Sequence, residues 1–72
     1  MQNRIKSFRE GKRISQGKLA ELCEVSRQTI NAIENNKYDP SLQLAFNISR
    51  QLGVAMEELF IQPNEKGGKR IE

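Results

Sequence analysis

Amide side chains recur at helical spacing between residues 27 and 35 of the chain. At 100° per residue, one side of a helix carries three amides and a small residue, with an arginine at its edge: Gln28, Asn31, Ala32, Asn35 and Arg27. Amides make paired hydrogen bonds to adenine in the major groove of double-stranded DNA, and arginine pairs with guanine or phosphate. Because this side has no carboxylate, it predicts a surface that contacts DNA bases. The alternative, an ordinary polar helix face, stays open on these residues alone.

Two short helices are predicted to hold this surface, over Gln16–Cys23 and 27–35. Ser15 and Ser26 precede them and have the side chain that caps a helix N-terminus. Each serine lies between two apolar residues at the spacing of a hydrophobic staple, Ile14 with Leu19 and Val25 with Ile30. The two starts leave three or four residues for the turn, which is the geometry of two helices meeting at a steep angle.

Three further helices are predicted around this pair, at about residues 2–12, 42–52 and 56–60. Ser41 caps the fourth helix and Gly53 ends it. Asn35 and Asn36 end the third helix, because asparagine tolerates the left-handed conformation. We assign residues 1–62 to one domain and 63–72 to a flexible basic tail.

The starts of the second and third helices are expected to face DNA phosphates, because free backbone N–H groups at a helix start attract anions. Gln16 begins the second helix; the alternative is a solvated first residue. For Ser26 the safer interpretation is capping alone, and Tyr38 equally suits packing against the helices. The candidate backbone contacts are Gln16, Ser26, Thr29, Asn35, Lys37 and Tyr38.

Composition argues against an enzyme and against a metal or cofactor. The chain has 72 residues, no histidine and one cysteine, Cys23, which we expect to be a small buried hydrophobe. Glu57 and Glu58 are adjacent on a helix and diverge, so they do not form an acid–base pair. No apolar run approaches a membrane span and no signal peptide is apparent, so we expect a cytoplasmic protein without a small-molecule ligand. The net charge of +3 is mildly basic, with five basic residues and one glutamate among residues 1–13.

The spacing of these residues resembles the Cro/C1-type (XRE) family of helix-turn-helix regulators. The resemblance rests on SQGKLA at 15–20, VSRQTI at 25–30 and IEN at 33–35. It covers about residues 4–60 and is greatest to compact stand-alone prokaryotic regulators such as the cytolysin repressor. It implies an all-α, five-helix, lambda-repressor-like domain, with a short β-structure near the C-terminal tail.

The resemblance also implies roles for individual residues. Gln16 would bind phosphate, and the side chains that approach base edges would be Arg27, Gln28 and Asn31. Arg9 and Glu34 would form an internal ion pair between the first and third helices, although Arg9 lies in a basic stretch that suggests a DNA contact. Loss of one partner would therefore cost stability more than affinity.

The sequence departs from the family at two positions. Glu24 stands in the interhelix turn where many members have glycine, and a non-glycine residue at positive φ costs about 1 kcal/mol. We therefore expect a different or mildly strained turn. Asp39 stands where close relatives often have asparagine. Because phosphate repels a carboxylate, its expected role is to turn the loop before Pro40.

The family commonly binds as a twofold dimer on a pseudo-palindromic operator. The candidate dimer surface is the apolar group at the end of the domain, Met56, Leu59, Phe60 and Ile61. For Met56 and Leu59, closure of the core is an equal alternative. The expected function is that of a DNA-binding transcriptional regulator, with repression as the expected activity, that acts as a homodimer. The competing hypothesis is an antitoxin-like module whose main partner is another protein.

Overall fold

Three serines begin the longer helices of the protein. The computed structural model describes residues 2–61. In it, each serine Oγ accepts a hydrogen bond from the backbone N–H three residues later, at 2.9 Å for Ser15 and at 3.1 Å for Ser26 and Ser41. The three predicted caps are thus confirmed. The elements are β1 (Gln2–Asn3), α1 (Ile5–Gly11), α2 (Gln16–Cys23), α3 (Arg27–Glu34), α4 (Leu42–Leu52), α5 (Met56–Leu59) and β2 (Phe60–Ile61).

Helices α1 to α4 all end in the same way. The residues with positive φ at these ends are Arg13 (62°), Glu24 (61°), Asn36 (62°) and Gly53 (69°). In each case the next residue donates its N–H to the carbonyl five positions back, at 2.9–3.2 Å, which is the bond of a Schellman motif. Glu24 therefore adopts the left-handed conformation of the family turn despite its side chain.

At three connections, a single apolar residue links the end of one helix to the start of the next. Ile14, Val25 and Val54 each follow a left-handed residue, precede the N-cap of the following helix and pack against the core. The residues five positions later are fully buried and complete the staples: Leu19, Ile30 and Leu59. This repeated connection fixes the directions of α2, α3 and α5.

The beginning of the domain differs from the sequence prediction. Residues 2–3 are not helical but pair antiparallel with β2, with Gln2 opposite Ile61 and Asn3 opposite Phe60. Helix α1 therefore begins at Ile5, and α5 ends at Leu59 because Phe60 enters the strand. The predicted β-structure near the tail is confirmed, whereas its partner strand at the start was not predicted.

The core lies where α2 packs against α3 and α4. Its fully buried side chains are Ile5, Leu19, Ile30, Ile33, Ile48, Leu52 and Leu59. Ala20 is buried between the helices of the core, and Cys23 is buried as expected. No helix among residues 2–61 is long and apolar enough to cross a membrane. The predicted tail, 63–72, lies outside the described residues.

Candidate nucleic-acid interface

The outer side of α3 carries the polar side chains that the helical spacing predicted. Ile30 and Ile33 point into the core, at 0% and 1% exposed. The opposite side is exposed at four positions, Arg27, Gln28, Asn31 and Asn35, with Ala32 half-buried among them. We call these four exposed residues the reading face. It presents amide and guanidinium groups and no carboxylate.

The carboxylate of α3 lies on the inner side, where an arginine neutralises it. Arg9 Nε lies 2.7 Å from Glu34 Oε2, and the side chains are 9% and 3% exposed. A second guanidinium nitrogen donates to Glu34 Oε1 at 3.2 Å, and a third to the Ile14 carbonyl at 2.9 Å. The hydrogen bond to Glu34 raises the pKa of Arg9. Arg9 is therefore a structural residue that joins α1, α3 and the α1–α2 turn.

Gln16 connects this ion pair to the reading face. Its Nε2 donates to Glu34 Oε1 at 2.9 Å, and its Oε1 accepts from Asn31 Nδ2 at 3.4 Å. Asn35 Nδ2 in turn donates to Asn31 Oδ1 at 3.2 Å. Sequence reasoning placed Gln16 at the helix start but missed this bond to Glu34, because 18 residues separate the two and no local spacing predicts their contact.

A polar concavity lies at the start of α2. Its volume is about 410 Å³, and it is lined by Arg9, Ser15, Gln16, Gly17 and Arg27. The first backbone N–H groups of α2 and the Arg27 side chain meet there, which is an arrangement suited to a phosphate. The start of α3 is tighter, because the hydroxyls of Ser26 and Thr29 lie 2.9 Å apart. Lys37 and Tyr38 are exposed in the loop after α3, with Tyr38 at 53%.

The apolar residues near the end of the domain divide into two groups. Leu59 is 0% exposed and belongs to the core, so it is not part of the candidate dimer surface. Met56, Phe60 and Ile61 are half-buried and line an open groove of about 620 Å³. We call it the α4–α5 groove; the remaining lining residues are Arg4, Pro40, Leu42, Ala45 and Glu57.

Comparison with known proteins agrees with this arrangement of helices. A helix-turn-helix family profile matches residues 5–59. The chain belongs to this helix-turn-helix family. An HTH-type transcriptional regulator of Methanocaldococcus jannaschii is 47% identical over 66 residues, which cover 92% of this chain and 100% of that protein.

Two solved structures are also similar to this helix-turn-helix protein. The N-terminal DNA binding domain of SinR from Bacillus subtilis has a TM-score of 0.74 and 33% identity, covering 86% of this chain and 91% of that one. The restriction-modification controller protein C.AhdI from Aeromonas hydrophila has a TM-score of 0.74 and 28% identity, covering 79% and 86%. The protein is a transcriptional regulator with a helix-turn-helix DNA-binding domain, and not an enzyme.

One further side chain of the regulator contributes to the site in a way that the sequence did not indicate. Asn3 Oδ1 accepts from the N–H of Ile5, and Asn3 Nδ2 donates to the Ile33 carbonyl at 2.9 Å. Asn3 therefore joins the start of α1 to the last turn of α3. Among residues 2–61, no group of three or more His, Cys, Asp and Glu side chains is placed to hold a metal ion.

Proposed function

We propose that the regulator binds a pseudo-palindromic operator as a homodimer and represses transcription by blocking polymerase. Each α3 lies in the major groove, where Arg27, Gln28 and Asn31 contact base edges. The contacts to the sugar-phosphate backbone come from Gln16, Ser26, Thr29, Asn35, Lys37 and Tyr38. A regulator of this kind acts in the cytoplasm, where the prokaryotic chromosome lies.

The reading face is the observation that supports base recognition most directly. Its side chains are exposed and are of the types that pair with adenine and guanine. Glu34, which shares the helix, is turned inward and bonded to Arg9 at 2.7 Å. The helix therefore approaches the phosphate backbone without a repelling carboxylate on its outer side.

The concavity at the start of α2 supports a phosphate contact beside the reading face. Gln16 and Arg27 both line it, together with the first backbone groups of α2. Gln16 uses one N–H for Glu34, so the second N–H of the amide is available to a phosphate oxygen. A phosphate held there would fix the distance between α3 and the DNA backbone.

The α4–α5 groove supports the homodimer. Leu42 in the groove is 66% exposed, and Phe46, one turn later on α4 and outside the groove, is 49% exposed, so the apolar surface extends past the groove. Arg4 and Glu57 lie on the lining and carry opposite charges. A twofold contact that brought Arg4 of one copy near Glu57 of the other would make the surface complementary to itself.

The test is a selection of duplex DNA from a random pool, followed by titration of the selected duplex at several salt concentrations. Wild type is expected to enrich a twofold site, and log K is expected to fall with log salt by about 0.9 for each phosphate contacted. Gln28→Ala is expected to weaken binding to that site by about 1–3 kcal/mol, with little change on random DNA.

Gln51→Ala is the matched control, because Gln51 is an exposed glutamine on α4 and is not part of the reading face. If no sequence is enriched and Gln28→Ala binds like wild type, base recognition by α3 is wrong. A partner protein on the α4–α5 groove, as in an antitoxin, would then be the function to examine. A selected site without twofold symmetry would overturn the homodimer alone.

A further inference from the structure

A chain of hydrogen bonds runs from the reading face to the buried ion pair. Asn35 donates to Asn31, Asn31 donates to Gln16, and Gln16 donates to Glu34. The distances are 3.2, 3.4 and 2.9 Å in that order. All three amides therefore donate in the same direction, towards the core.

The direction of the chain follows from the chemistry of Glu34. An ionised carboxylate only accepts hydrogen bonds, so Gln16 must turn its NH₂ group towards Glu34 and its oxygen towards Asn31. That oxygen faces Asn31, which donates to it from its own NH₂ group at 3.4 Å. Arg9 holds Glu34 in place from the other side, at 2.7 Å. The orientation of the Asn31 amide is thus set by Gln16, which lies outside the reading face, together with Asn35, which lies on it.

Asn31 keeps capacity for a base despite these bonds. Each amide has two N–H donors and two lone pairs, and Asn31 uses one of each on its protein neighbours. One donor and one lone pair are left, which is the pair of groups that adenine requires. A rotation of the amide by 180° would reverse both groups and break both protein bonds.

Gln28 lies on the same reading face without this restraint. It is exposed, and its side chain makes no hydrogen bond within residues 2–61. Its amide can rotate to suit different bases at a low cost. The two amides should therefore differ in how strictly they select a base, although they have the same chemistry.

We propose that Gln16 is a positioning residue for base recognition: held between Glu34 and Asn31, it fixes the Asn31 amide in one orientation. Asn31 then discriminates among bases more strictly than Gln28 does. The proposal rests on the proposed function, because it requires that α3 contacts bases. It gives Gln16 a role in specificity in addition to its phosphate contact.

The experiment measures the dissociation constants of the selected operator and of all single-base variants. Asn31→Ala and Gln28→Ala first identify the base pair that each amide contacts, by the loss of discrimination there. The test variant is Gln16→Met, which has a similar length but no amide. It is expected to reduce discrimination at the Asn31 base pair about fivefold, the value of one net hydrogen bond, and to leave the Gln28 base pair within about twofold.

Asn35→Ala gives an independent test on an exposed residue whose removal leaves the core intact. It takes away the other hydrogen bond of Asn31, so it should reduce discrimination about threefold at the same base pair. In the double variant Gln16→Met with Asn31→Ala, the first substitution should add no further loss of discrimination. A circular dichroism melt of each variant confirms that the fold is intact.

A uniform loss of affinity in Gln16→Met, with every ratio between sequences unchanged, would overturn the proposal and leave Gln16 as a phosphate contact only. Equal loss of discrimination at the Asn31 and Gln28 base pairs would also overturn it, because a general displacement of α3 would then be the cause. If wild type selects no sequence, the proposed function fails together with this inference. If wild type binds a specific sequence but Gln16→Met keeps full discrimination at the Asn31 base pair, this inference is wrong and the proposed function stands.

Discussion

The reading face of α3 and the α4–α5 groove are both open to solvent, and they present different chemistry. On the reading face, exposed amides form a directional chain that ends on the Arg9–Glu34 pair. In the groove, Leu42, Met56 and Phe60 present apolar surface, and the described hydrogen bonds there involve mainly the backbone.

The difference indicates how each surface can bind. Hydrogen-bonding groups exchange water for a partner with little net gain, so a polar surface gains selectivity when its groups are already oriented. Apolar surface gains free energy from removal of water without regard to direction. We therefore expect the reading face to determine which DNA is bound, and the groove to determine how strongly two copies associate.

The largest expected effect follows from breaking the ion pair that anchors the reading face. Arg9→Met leaves the Glu34 carboxylate buried without its cation, and should lower the free energy of unfolding by about 3–5 kcal/mol. Urea unfolding followed by circular dichroism measures this. The control is Glu21→Gln, which removes an exposed ion pair of 3.9 Å with Lys18 and should cost less than about 1 kcal/mol. Equal losses in both variants would contradict the structural role of Arg9.

A smaller effect is expected from a charge in the groove. Leu42→Glu should weaken self-association by about 2 kcal/mol, because it places a carboxylate in the apolar part of the proposed dimer contact. Sedimentation equilibrium measures the dimer dissociation constant. Leu22→Glu is the control, since Leu22 is a 39% exposed leucine on α2 that does not line the groove. Should Leu22→Glu have the stronger effect, the dimer contact would lie on α2 instead.

The smallest expected effect compares the ends of two helices, α2 and α4. Glu24, between α2 and α3, and Gly53, at the end of α4, have φ of 61° and 69°. Glu24→Gly should stabilise the domain by about 0.5–1 kcal/mol, because relief of the left-handed strain exceeds the entropy that glycine adds to the unfolded chain. Gly53→Ala should destabilise it by about 1 kcal/mol. Urea midpoints measure both, and a destabilised Glu24→Gly would show that the Glu24 side chain makes a compensating contact.

Local signals in the sequence predicted much of the fold. The bounds of α2 and α4 were correct because a capping serine and a turn residue lie next to each helix. The strand pair was not predicted on the N-terminal side, because Gln2 pairs with Ile61 across the whole domain and a two-residue strand has no pattern of its own. The left-handed Arg13 was missed as well, because arginine carries no local signal for a positive φ.

The candidate site was predictable in outline and not in detail. Helical periodicity is sufficient to place Gln28 and Asn31 outside and Ile30 and Ile33 inside. Periodicity says nothing about which amide is restrained, because the bonds of Asn31 depend on the distance between α2 and α3 in the folded chain. Exposure of the groove likewise depends on how α4 and α5 pack. The sequence therefore did not show that Leu59 is buried whereas Met56 lines the groove.

Ile14, Val25 and Val54 each belong both to the end of one helix and to the start of the next. This limits the insertions and deletions that the domain tolerates. An added residue at any of these connections would separate the end of one helix from the start of the next, and would move an apolar side chain off the core. The connection from α3 to α4 is different, because exposed Lys37 follows the left-handed Asn36 and Pro40 precedes the next cap. Natural variation in loop length should therefore concentrate at residues 37–40, while the other three connections keep a constant length.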